Sequence, residues 1–276
     1  MLGRAVVPRR YVLELELSAK LDSFSARLTV DVDCAEPVSC IVLNAHPSLV
    51  ISSLAVDGAA CNFSHREPEE LAVALPAAQR PRQLTFEYVG VIGTDSIGLY
   101  QNTFGGQPGV ASQLFSTYAR RVLPCWDEPA FKAVFEVRVV LQAAPGRAAE
   151  VRSNAPLARV EEAGPGRRRW VFEPTPVMSA YLLALFVGEC AAVTRHTRRG
   201  GRPVSVLVPR GQEASGAFAA DVAVRAVHFF EDLFGVELPV PKVDLVGLLS
   251  FLYGGMENWG CIFFQVICVR FLANSL

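Results

Sequence analysis

Hydrophobic and polar residues alternate along the first part of the chain. The leucines of residues 13–17 alternate with glutamates, and residues 26–33 and 135–141 repeat the same period of two. This period places apolar side chains on one face of a strand and polar ones on the other, as in a half-buried antiparallel sheet. Because Gly- and Pro-rich turns separate the segments, the pattern predicts an all-β, sandwich-like domain over about residues 10–190.

The pattern changes near residues 198–203, which are rich in arginine and glycine. The pattern predicts short strands over residues 204–208 and 243–249. Between them Gly235 stands where a glycine commonly ends a helix. The apolar residues between them follow at helical spacing and predict one apolar face: Ala223, Val227, Phe230 and Phe234. We therefore place a domain boundary at about residues 190–200.

Composition and charge exclude several classes of protein. Hydrophobic residues make up 51% of the 276 residues, which is enough for a packed core, and the net charge of −1 argues against a nucleic-acid partner. No apolar segment reaches the roughly 18–20 residues that span a bilayer. The nearest, residues 261–273, contains Gln265 and Arg270. We expect no transmembrane span.

The cysteines indicate a reducing compartment. The chain has seven cysteines, an odd number, and no C-x-x-C pair. The N-terminus lacks the apolar stretch of a secretory signal. We expect reduced thiols and a cytoplasmic location.

Residues 254–260, with the sequence Gly-Gly-Met-Glu-Asn-Trp-Gly, carry the most informative chemistry. Glycine at a strand edge lets another backbone approach, so this edge could align an extended peptide by main-chain hydrogen bonds. The carboxylate of Glu257 could hold the free α-ammonium of that peptide. The alternative is a glycine-rich turn with one ordinary solvated glutamate.

This stretch resembles the G-A/G-M-E-N motif of the aminopeptidase N family of zinc metallopeptidases, and three further segments agree in order. Residues 119–132 are similar to its A-R-R-x-x-P-C-x-D-E-P-x-x-K segment, residues 172–182 to its F-x-x-T-P-x-M-S-x-Y-L strand, and residues 233–244 to its P-l-P-K-x-D run. The resemblance covers about residues 10–260 and is nearest to the puromycin-sensitive branch.

The resemblance implies a mainly β fold. An N-terminal antiparallel β-sandwich or saddle domain would occupy residues 1–195. The start of a thermolysin-like α+β domain, with strands and one long helix, would occupy residues 196–260, and a divergent apolar tail residues 261–276.

The same resemblance implies a substrate-binding role for six residues. Glu257 would anchor the substrate amine, and Gln113 would contribute to the first specificity pocket. The remaining four form the edge strand and its motif: Gly254, Gly255, Met256 and Asn258. The implied partner is a peptide with a free N-terminus.

The zinc centre that the resemblance implies has no counterpart in this sequence. It needs an H-E-x-x-H helix, whose metal activates a water molecule, and the four histidines (46, 65, 196 and 228) include no pair four residues apart. We interpret His228, one turn before Glu231, as an ordinary helix residue. We therefore expect no metal ligand, no catalytic residue and no cofactor in this chain, with zinc confined to full-length relatives.

Two segments depart from the family pattern. Phe115 stands where many members carry a Glu or Gln that contacts the substrate amine, and Tyr118 replaces an acid. Losing one buried anionic partner is expected to weaken capture of an ammonium by roughly 1.5–3 kcal/mol. The alternative is that the loop tolerates variation. The segment after Gly260 is apolar where the family is polar, which indicates either a truncated or alternative transcript or an acquired partner or membrane segment.

The other candidate groups have structural interpretations. We interpret residues 127–129 (Asp-Glu-Pro) as a turn that fastens a loop, Cys125 as a packed thiol, and the three arginines of residues 167–169 as a solvated hairpin arm.

Two hypotheses follow. The first is a metalloaminopeptidase chain that stops before its zinc site, keeps part of the peptide-binding site and is inactive alone. The second is a non-catalytic peptide-binding or regulatory module that pairs with a full-length relative. In either case we expect residues 243–252 and 262–272 to have lost covering helices, and the chain to self-associate.

Overall fold

A computed structural model describes residues 1–66, 68–142 and 149–265, and within them the fold is mainly β, as predicted. The strands up to residue 188 are β1 (Val6–Leu17), β2 (Ser23–Cys34), β3 (Val38–Asn44), β4 (Val50–Val56), β5 (Ala59–Ala60), β6 (Asn62–Arg66), β7 (Glu70–Gln79), β8 (Gln83–Val91), β9 (Gly98–Phe104), β10 (Gln107–Gln113), β11 (Lys132–Gln142), β12 (Glu150–Ser153), β13 (Leu157–Glu162), β14 (Arg167–Phe172), β15 (Met178–Ser179) and β16 (Leu185–Gly188). The later strands are β17 (Cys190–His196), β18 (Pro203–Pro209), β19 (Val243–Leu248), β20 (Gly255–Met256) and β21 (Cys261–Gln265). The α-helix α1 (Glu213–Phe234) lies between β18 and β19, and short 3-10 helices occupy Ala119–Arg121 and Ala180–Leu182.

A long twisted sheet in the order β13-β14-β11-β1-β2-β8-β4-β5 carries the alternating segments. Leu13 and Leu28 are cross-strand partners in the antiparallel β1–β2 pair and are almost fully buried, as the alternation predicts. One pairing differs from the predicted antiparallel sheet. β1 pairs with β11 in parallel, which the long connection between the two strands makes possible. The Tyr11 and Phe135 rings stack across this pair with centres 4.8 Å apart.

Two smaller sheets complete the N-terminal part. The three-stranded sheet β3-β7-β6 shares the core of the long sheet, since Leu43 and Val73 belong to the same buried cluster as Leu28. The second is the four-stranded sheet β12-β16-β10-β9. Its strand β10 ends at Gln113, one of the candidate site residues.

The C-terminal sheet has the order β17-β18-β19-β21-β20, with β18, β19 and β21 parallel. Val246, Leu248 and Phe263 of this sheet join the main core, so the N-terminal part and this sheet share one interior. On the other face α1 packs against β17 and β18 through Ala220 and Val224. The parallel strands therefore have apolar cover on both faces where α1 lies.

Helix α1 ends as the sequence predicts, at Gly235, whose φ of 67° is left-handed. Phe230 and Phe234 share one face and stack with ring centres 5.9 Å apart, yet both are exposed. The apolar spacing thus predicted the helix, but this end of its face meets no covering layer in the described part of the chain.

Residues 243–252 were expected to lack covering helices, but only the last residues of this segment expose apolar side chains. Val243, Val246 and Leu248 are buried, because β19 lies inside the sheet, whereas Leu249 and Leu252 are exposed. Of residues 262–272, those from 266 onward lie outside the described residues, as does most of the tail predicted for residues 261–276.

The arginines of residues 167–169 lie on β14, between the edge strand β13 and β11 of the long sheet. Arg167 pairs with Glu16 at 2.6 Å, and Arg169 pairs with Glu14 and Glu161 at 3.1 Å each. They form cross-strand ion pairs on an exposed sheet face rather than an isolated basic patch. Over the ranges that the structure describes, no helix has both the length and the apolar character that crossing a bilayer requires.

Candidate functional site

The Gly254–Asn258 motif forms a short hairpin at the edge of the C-terminal sheet. Gly255 and Met256 of β20 pair with Phe264 and Phe263 of β21, and β20 is the last strand in the sheet order. A Cβ on Gly255 would lie 3.3 Å from the Phe264 ring, so glycine lets the two strands pair closely. Within the residues that the structure describes, no further strand pairs with the outer side of β20.

Side chains alternate in burial along this hairpin. Met256 and Asn258 are buried, whereas Glu257 between them is exposed. Among the described residues no hydrogen bond or ion pair engages the Glu257 carboxylate. The one formal charge of the motif therefore faces solvent and is available to a ligand.

The turn that closes the hairpin requires glycine at position 260. Gly260 has a φ of 73°, and a Cβ there would lie 2.2 Å from the backbone oxygen of Asn154. The Cys261 N–H donates to the Asn258 carbonyl at 3.1 Å and closes the turn. This glycine lets the hairpin turn lie directly against the N-terminal part.

Asn154, which the sequence analysis did not single out, joins the two halves of the molecule. Its Nδ2 donates to the carbonyls of Leu182 at 2.7 Å and Trp259 at 2.9 Å, and its Oδ1 accepts from the Ala184 N–H at 2.8 Å. A buried amide used on both sides in this way fixes the relative position of the elements that it bridges. An isolated Ser-Asn dipeptide gives no sequence signal for this role.

A second bridge lies just before the motif, at Ser250. Tyr100 Oη and Asn102 Nδ2 both donate to the Ser250 carbonyl, at 3.1 and 2.7 Å, and the hydroxyls of Ser96 and Ser250 lie 2.9 Å apart. Burial raises the pKa of the Tyr100 phenol, so it remains a neutral donor. Strand β9 thereby holds the segment that leads into the edge strand.

Lys242 forms a third bridge beneath the hairpin. Its buried Nζ donates to the Gly260 carbonyl at 2.8 Å, to the Asp244 carboxylate at 2.7 Å and to the Ser153 carbonyl. A buried ammonium is tolerated only when it is paired and hydrogen-bonded in this way. The thiol of Cys261 lies in the same interior, and burial raises its pKa to about 12.

The loop after β10 reaches the motif from the N-terminal part. Gln113 is almost fully buried, and its Oε1 accepts from the Phe115 N–H at 3.3 Å. The Phe115 ring lies edge-on to Tyr181 and to Tyr253, with ring centres 5.7 and 6.4 Å away. Because Tyr253 directly precedes Gly254, the structure brings the Gln113 loop and the edge strand together.

The segment over residues 119–132 directly follows this loop and is held by ion pairs of its own. Arg120 Nε pairs with Asp127 at 2.9 Å and its Nη1 with Glu69 at 3.2 Å. Burial raises the pKa of the Asp127 carboxyl, and the Arg120 contact opposes that shift. Cys125 is fully buried, and burial raises the pKa of its thiol well above the usual value, which suits a packed thiol.

Comparisons with known proteins identify the family of this chain. The model of the Peptidase M1 N-terminal domain matches residues 7–182, and that of the Peptidase family M1 domain matches residues 218–275. This chain belongs to the M1 peptidase family.

Similar M1 family members come from distant organisms. Aminopeptidase M1-D of Oryza sativa subsp. japonica is 32% identical over 99% of this chain and 32% of its own length. The puromycin-sensitive aminopeptidase of Caenorhabditis elegans is 28% identical over 95% of this chain and 29% of its own length. Aminopeptidase N of Acetobacter pasteurianus is 30% identical over 95% of this chain and 74% of its own length. The chain thus spans about a third of the first two relatives.

The donor set for the M1 family's zinc ion does not fit this chain. His228 Nε2 accepts from the Arg198 N–H at 2.8 Å, and His46 lies 3.4 Å from Glu69, so each imidazole already has a neighbour. In the parts of the chain that the structure describes, no three His, Cys, Asp or Glu side chains converge as metal ligands do. We therefore derive no hydrolytic step through a metal.

Proposed function

We propose that this chain provides the peptide N-terminus binding half of an M1 aminopeptidase. The observation that carries the proposal is the contact between the Gln113 loop and the Gly254–Asn258 hairpin, made by Phe115 and Tyr253 at 6.4 Å. It brings the loop that follows Gln113 next to Tyr253, the residue before Gly254, which supports a binding site shared by the loop and the hairpin. Their roles are part of the proposal.

Binding would follow from the geometry of the edge. An extended peptide would add to β20 by main-chain hydrogen bonds, with Gly254 and Gly255 allowing its close approach. Glu257 is exposed and has no partner in the described ranges, so its carboxylate would pair with the α-ammonium of the peptide. Met256 and Asn258 face inward and would hold the strand in register.

The test compares a peptide with a free N-terminus with its N-acetylated form by isothermal titration calorimetry. We expect the free peptide to bind at least tenfold more tightly, and Glu257→Gln to remove most of that difference. The matched control is Glu162→Gln, which neutralises an exposed glutamate on β13. Equal affinity for the free and acetylated peptides would overturn the proposal.

We propose hydrolysis for the whole family protein and not for this chain by itself. The relatives named above are aminopeptidases, and we propose that the whole family protein removes N-terminal residues from peptides. The 276-residue polypeptide has no histidine pair four residues apart, so we propose that by itself it binds without cleaving. Turnover of a fluorogenic aminoacyl amide that needs zinc and stops with chelator would contradict this.

A second proposal is a non-catalytic module that pairs with a full-length relative or with itself. It is supported by the large apolar side chains exposed at the end of α1 and just after it, the α1 aromatic patch: Phe229, Phe230, Leu233, Phe234 and Val236. Exposed apolar groups of this kind mark interaction surfaces. A stable complex with a full-length relative at native expression levels would favour this proposal over the first.

The domain boundaries and the cellular location are also proposals. We propose a β-domain over residues 1–195 and the start of the peptidase domain over residues 196–260. The cysteines of the described residues are all free thiols, which suits the cytoplasmic location that we propose. Fluorescence microscopy of a tagged chain would test the location.

A further inference from the structure

Glu257 lies between two anchored segments of the hairpin. On one side β20 ends at Met256, which pairs with Phe263 of β21. On the other side the Asn258 side chain is almost fully buried, and the Asn258 carbonyl accepts from the Cys261 N–H at 3.1 Å. Glu257 itself belongs to no strand, and no group among the described residues engages its carboxylate. The segments on either side therefore set the direction of this carboxylate.

The segment after Glu257 rests on the end of β12, in the N-terminal part. Asn154 Nδ2 donates to the Trp259 carbonyl at 2.9 Å, and a Cβ on Gly260 would lie 2.2 Å from the Asn154 carbonyl oxygen. Asn154 thus contacts two consecutive residues of the turn, one through its side chain and one through its backbone. The position of the turn is fixed by a residue that lies about a hundred positions earlier in the chain.

The Asn154 side chain is itself held in one orientation. Its Nδ2 also donates to the Leu182 carbonyl at 2.7 Å, and its Oδ1 accepts from the Ala184 N–H at 2.8 Å. Both N–H groups and the oxygen of the amide are therefore engaged, and the side chain is almost fully buried. A buried network in which every member has a partner is rigid, so the donor that reaches Trp259 is preformed.

Lys242 supports the same turn from the C-terminal sheet. Its Nζ donates to the Gly260 carbonyl at 2.8 Å and to the carbonyl of Ser153, the residue before Asn154. The Lys242 ammonium also pairs with the buried Asp244 carboxylate at 2.7 Å, so a neutral residue at position 242 would leave a buried charge unpaired. Asn154 is neutral, and its contact with the turn can be removed without that complication.

We propose that Asn154 is a positioning residue for recognition of the peptide amine. By holding the Trp259–Gly260 turn, it directs the Glu257 carboxylate towards the α-ammonium group, so the N-terminal part contributes to amine recognition through a residue that does not touch the peptide. The inference rests on the proposed peptide-binding function and names a residue on which the amine contact of that site depends. A charge-assisted hydrogen bond weakens steeply as its angle departs from linear, so a small rotation of Glu257 removes most of the contact.

The experiment measures binding of a C-terminally labelled tetrapeptide to the 276-residue chain by fluorescence anisotropy. The peptide is either free or acetylated at its N-terminus, and the ratio of the two affinities reports the amine contact. The variants are Asn154→Ala, which removes the side-chain contacts, and Asn154→Ser, which keeps one hydroxyl donor. The matched control is Asn44→Ala, because Asn44 is another buried amide and its Oδ1 accepts from the Asp127 N–H at 3.1 Å, within the N-terminal part.

We expect the wild-type chain to bind the free peptide at least about tenfold more tightly than the acetylated one. Asn154→Ala should reduce this ratio to within about threefold, and Asn154→Ser should retain part of it. Affinity for the acetylated peptide should change by less than about twofold, because main-chain pairing with β20 remains. Asn44→Ala should keep the wild-type ratio. Binding is measured at a temperature at which thermal unfolding shows every variant to be folded.

A double-mutant cycle with Glu257→Gln separates positioning from a general loss of stability. If Asn154 acts through Glu257, adding Asn154→Ala to Glu257→Gln lowers the affinity for the free peptide no further. A purely structural role would weaken binding of both peptides, with and without Glu257→Gln, and this result would overturn the inference.

The outcomes also separate this inference from the function on which it rests. Equal affinities of the wild-type chain for the two peptides would overturn the amine contact of Glu257, and the inference with it. A wild-type preference that Glu257→Gln removes but Asn154→Ala leaves unchanged would refute the positioning role alone.

Discussion

Single polar side chains position the candidate site. Asn154 and Lys242 each hold backbone groups from both the N-terminal part and the C-terminal hairpin, and neither belongs to the Gly254–Asn258 motif. Most of their partners are backbone groups, which any residue type supplies, so the sequence at those partner positions does not reveal the contacts. The site is therefore held by residues outside its own motif: Lys242 belongs to the P-l-P-K-x-D run, whereas Asn154 lies in none of the four motif segments.

The hydrogen bond that the His46 imidazole accepts depends on pH. Burial lowers the pKa of His46 from its usual 6.5, the charge of Arg121 lowers it further, and Glu69 opposes these effects. The Ser48 N–H donates to Nδ1 at 3.1 Å, which requires that nitrogen to be unprotonated. The folded state therefore favours the neutral imidazole.

We expect the stability of the chain to depend on His46 below neutral pH. Because the unfolded chain takes up the proton first, this contribution is complete above the unfolded pKa and is lost as the pH falls through it towards the folded pKa. His46→Gln should reduce the pH dependence of the free energy of unfolding between about pH 5 and pH 7. Urea unfolding at stepped pH measures the slope, with His65→Gln, an exposed position, as control. An identical slope in His46→Gln and wild type would contradict the expectation.

At the scale of elements, the β20–β21 hairpin depends on the backbone conformation of its turn. Gly260 combines a left-handed φ with contact against the Asn154 backbone, so two independent constraints exclude a side chain. The pairing of β20 with β21, and with it the direction of Glu257, depends on this turn.

Gly260→Ala should destabilise the chain by roughly 2–4 kcal/mol, because the new Cβ meets a backbone oxygen and the φ is strained. The matched control is Gly254→Ala in the same segment, where a Cβ meets nothing within 4 Å and φ is unremarkable. Chemical denaturation with a far-ultraviolet circular dichroism signal measures both variants. Equal stability of the two would show that the turn relaxes without cost.

At the scale of the whole molecule, one continuous core joins the N-terminal sheets to the C-terminal sheet. Phe263 and Met256 belong to the same buried cluster as residues of β1 and β2. The C-terminal sheet and the N-terminal sheets therefore share a single hydrophobic core. Its exposed apolar surface includes the α1 aromatic patch, whose rings contact one another instead of a covering layer in the described ranges.

We expect the chain to self-associate at micromolar concentration through this patch, because exposed rings are removed from water by contact. The double variant Phe230→Ser/Phe234→Ser should shift the chain towards monomer in size-exclusion chromatography with light scattering. Val50→Ser/Val89→Ser on the long sheet, also exposed, is the control and should behave as wild type. A monodisperse wild-type monomer at high concentration would count against the prediction.

Much of the fold follows from the sequence by itself. Alternation over residues 13–17, 26–33 and 135–141 predicts strands that the structure contains, and Gly235 ends the helix as expected. Local periodicity determines these elements because a strand or helix with one apolar face has to bury it. The four motif segments likewise identify the family that the comparisons show.

Only the tertiary structure decided how these elements meet. The parallel pairing of β1 with β11, the exposure of Phe230 and the approach of Phe115 to Tyr253 involve residues far apart in the chain or layers that periodicity does not specify. A pattern states which face is apolar but not what covers it. The bridges of Asn154 and Lys242, and the lack of an acceptor for Gln113 Nε2 among the described residues, arise from three-dimensional neighbours. The sequence therefore named the candidate residues but not how they are held together.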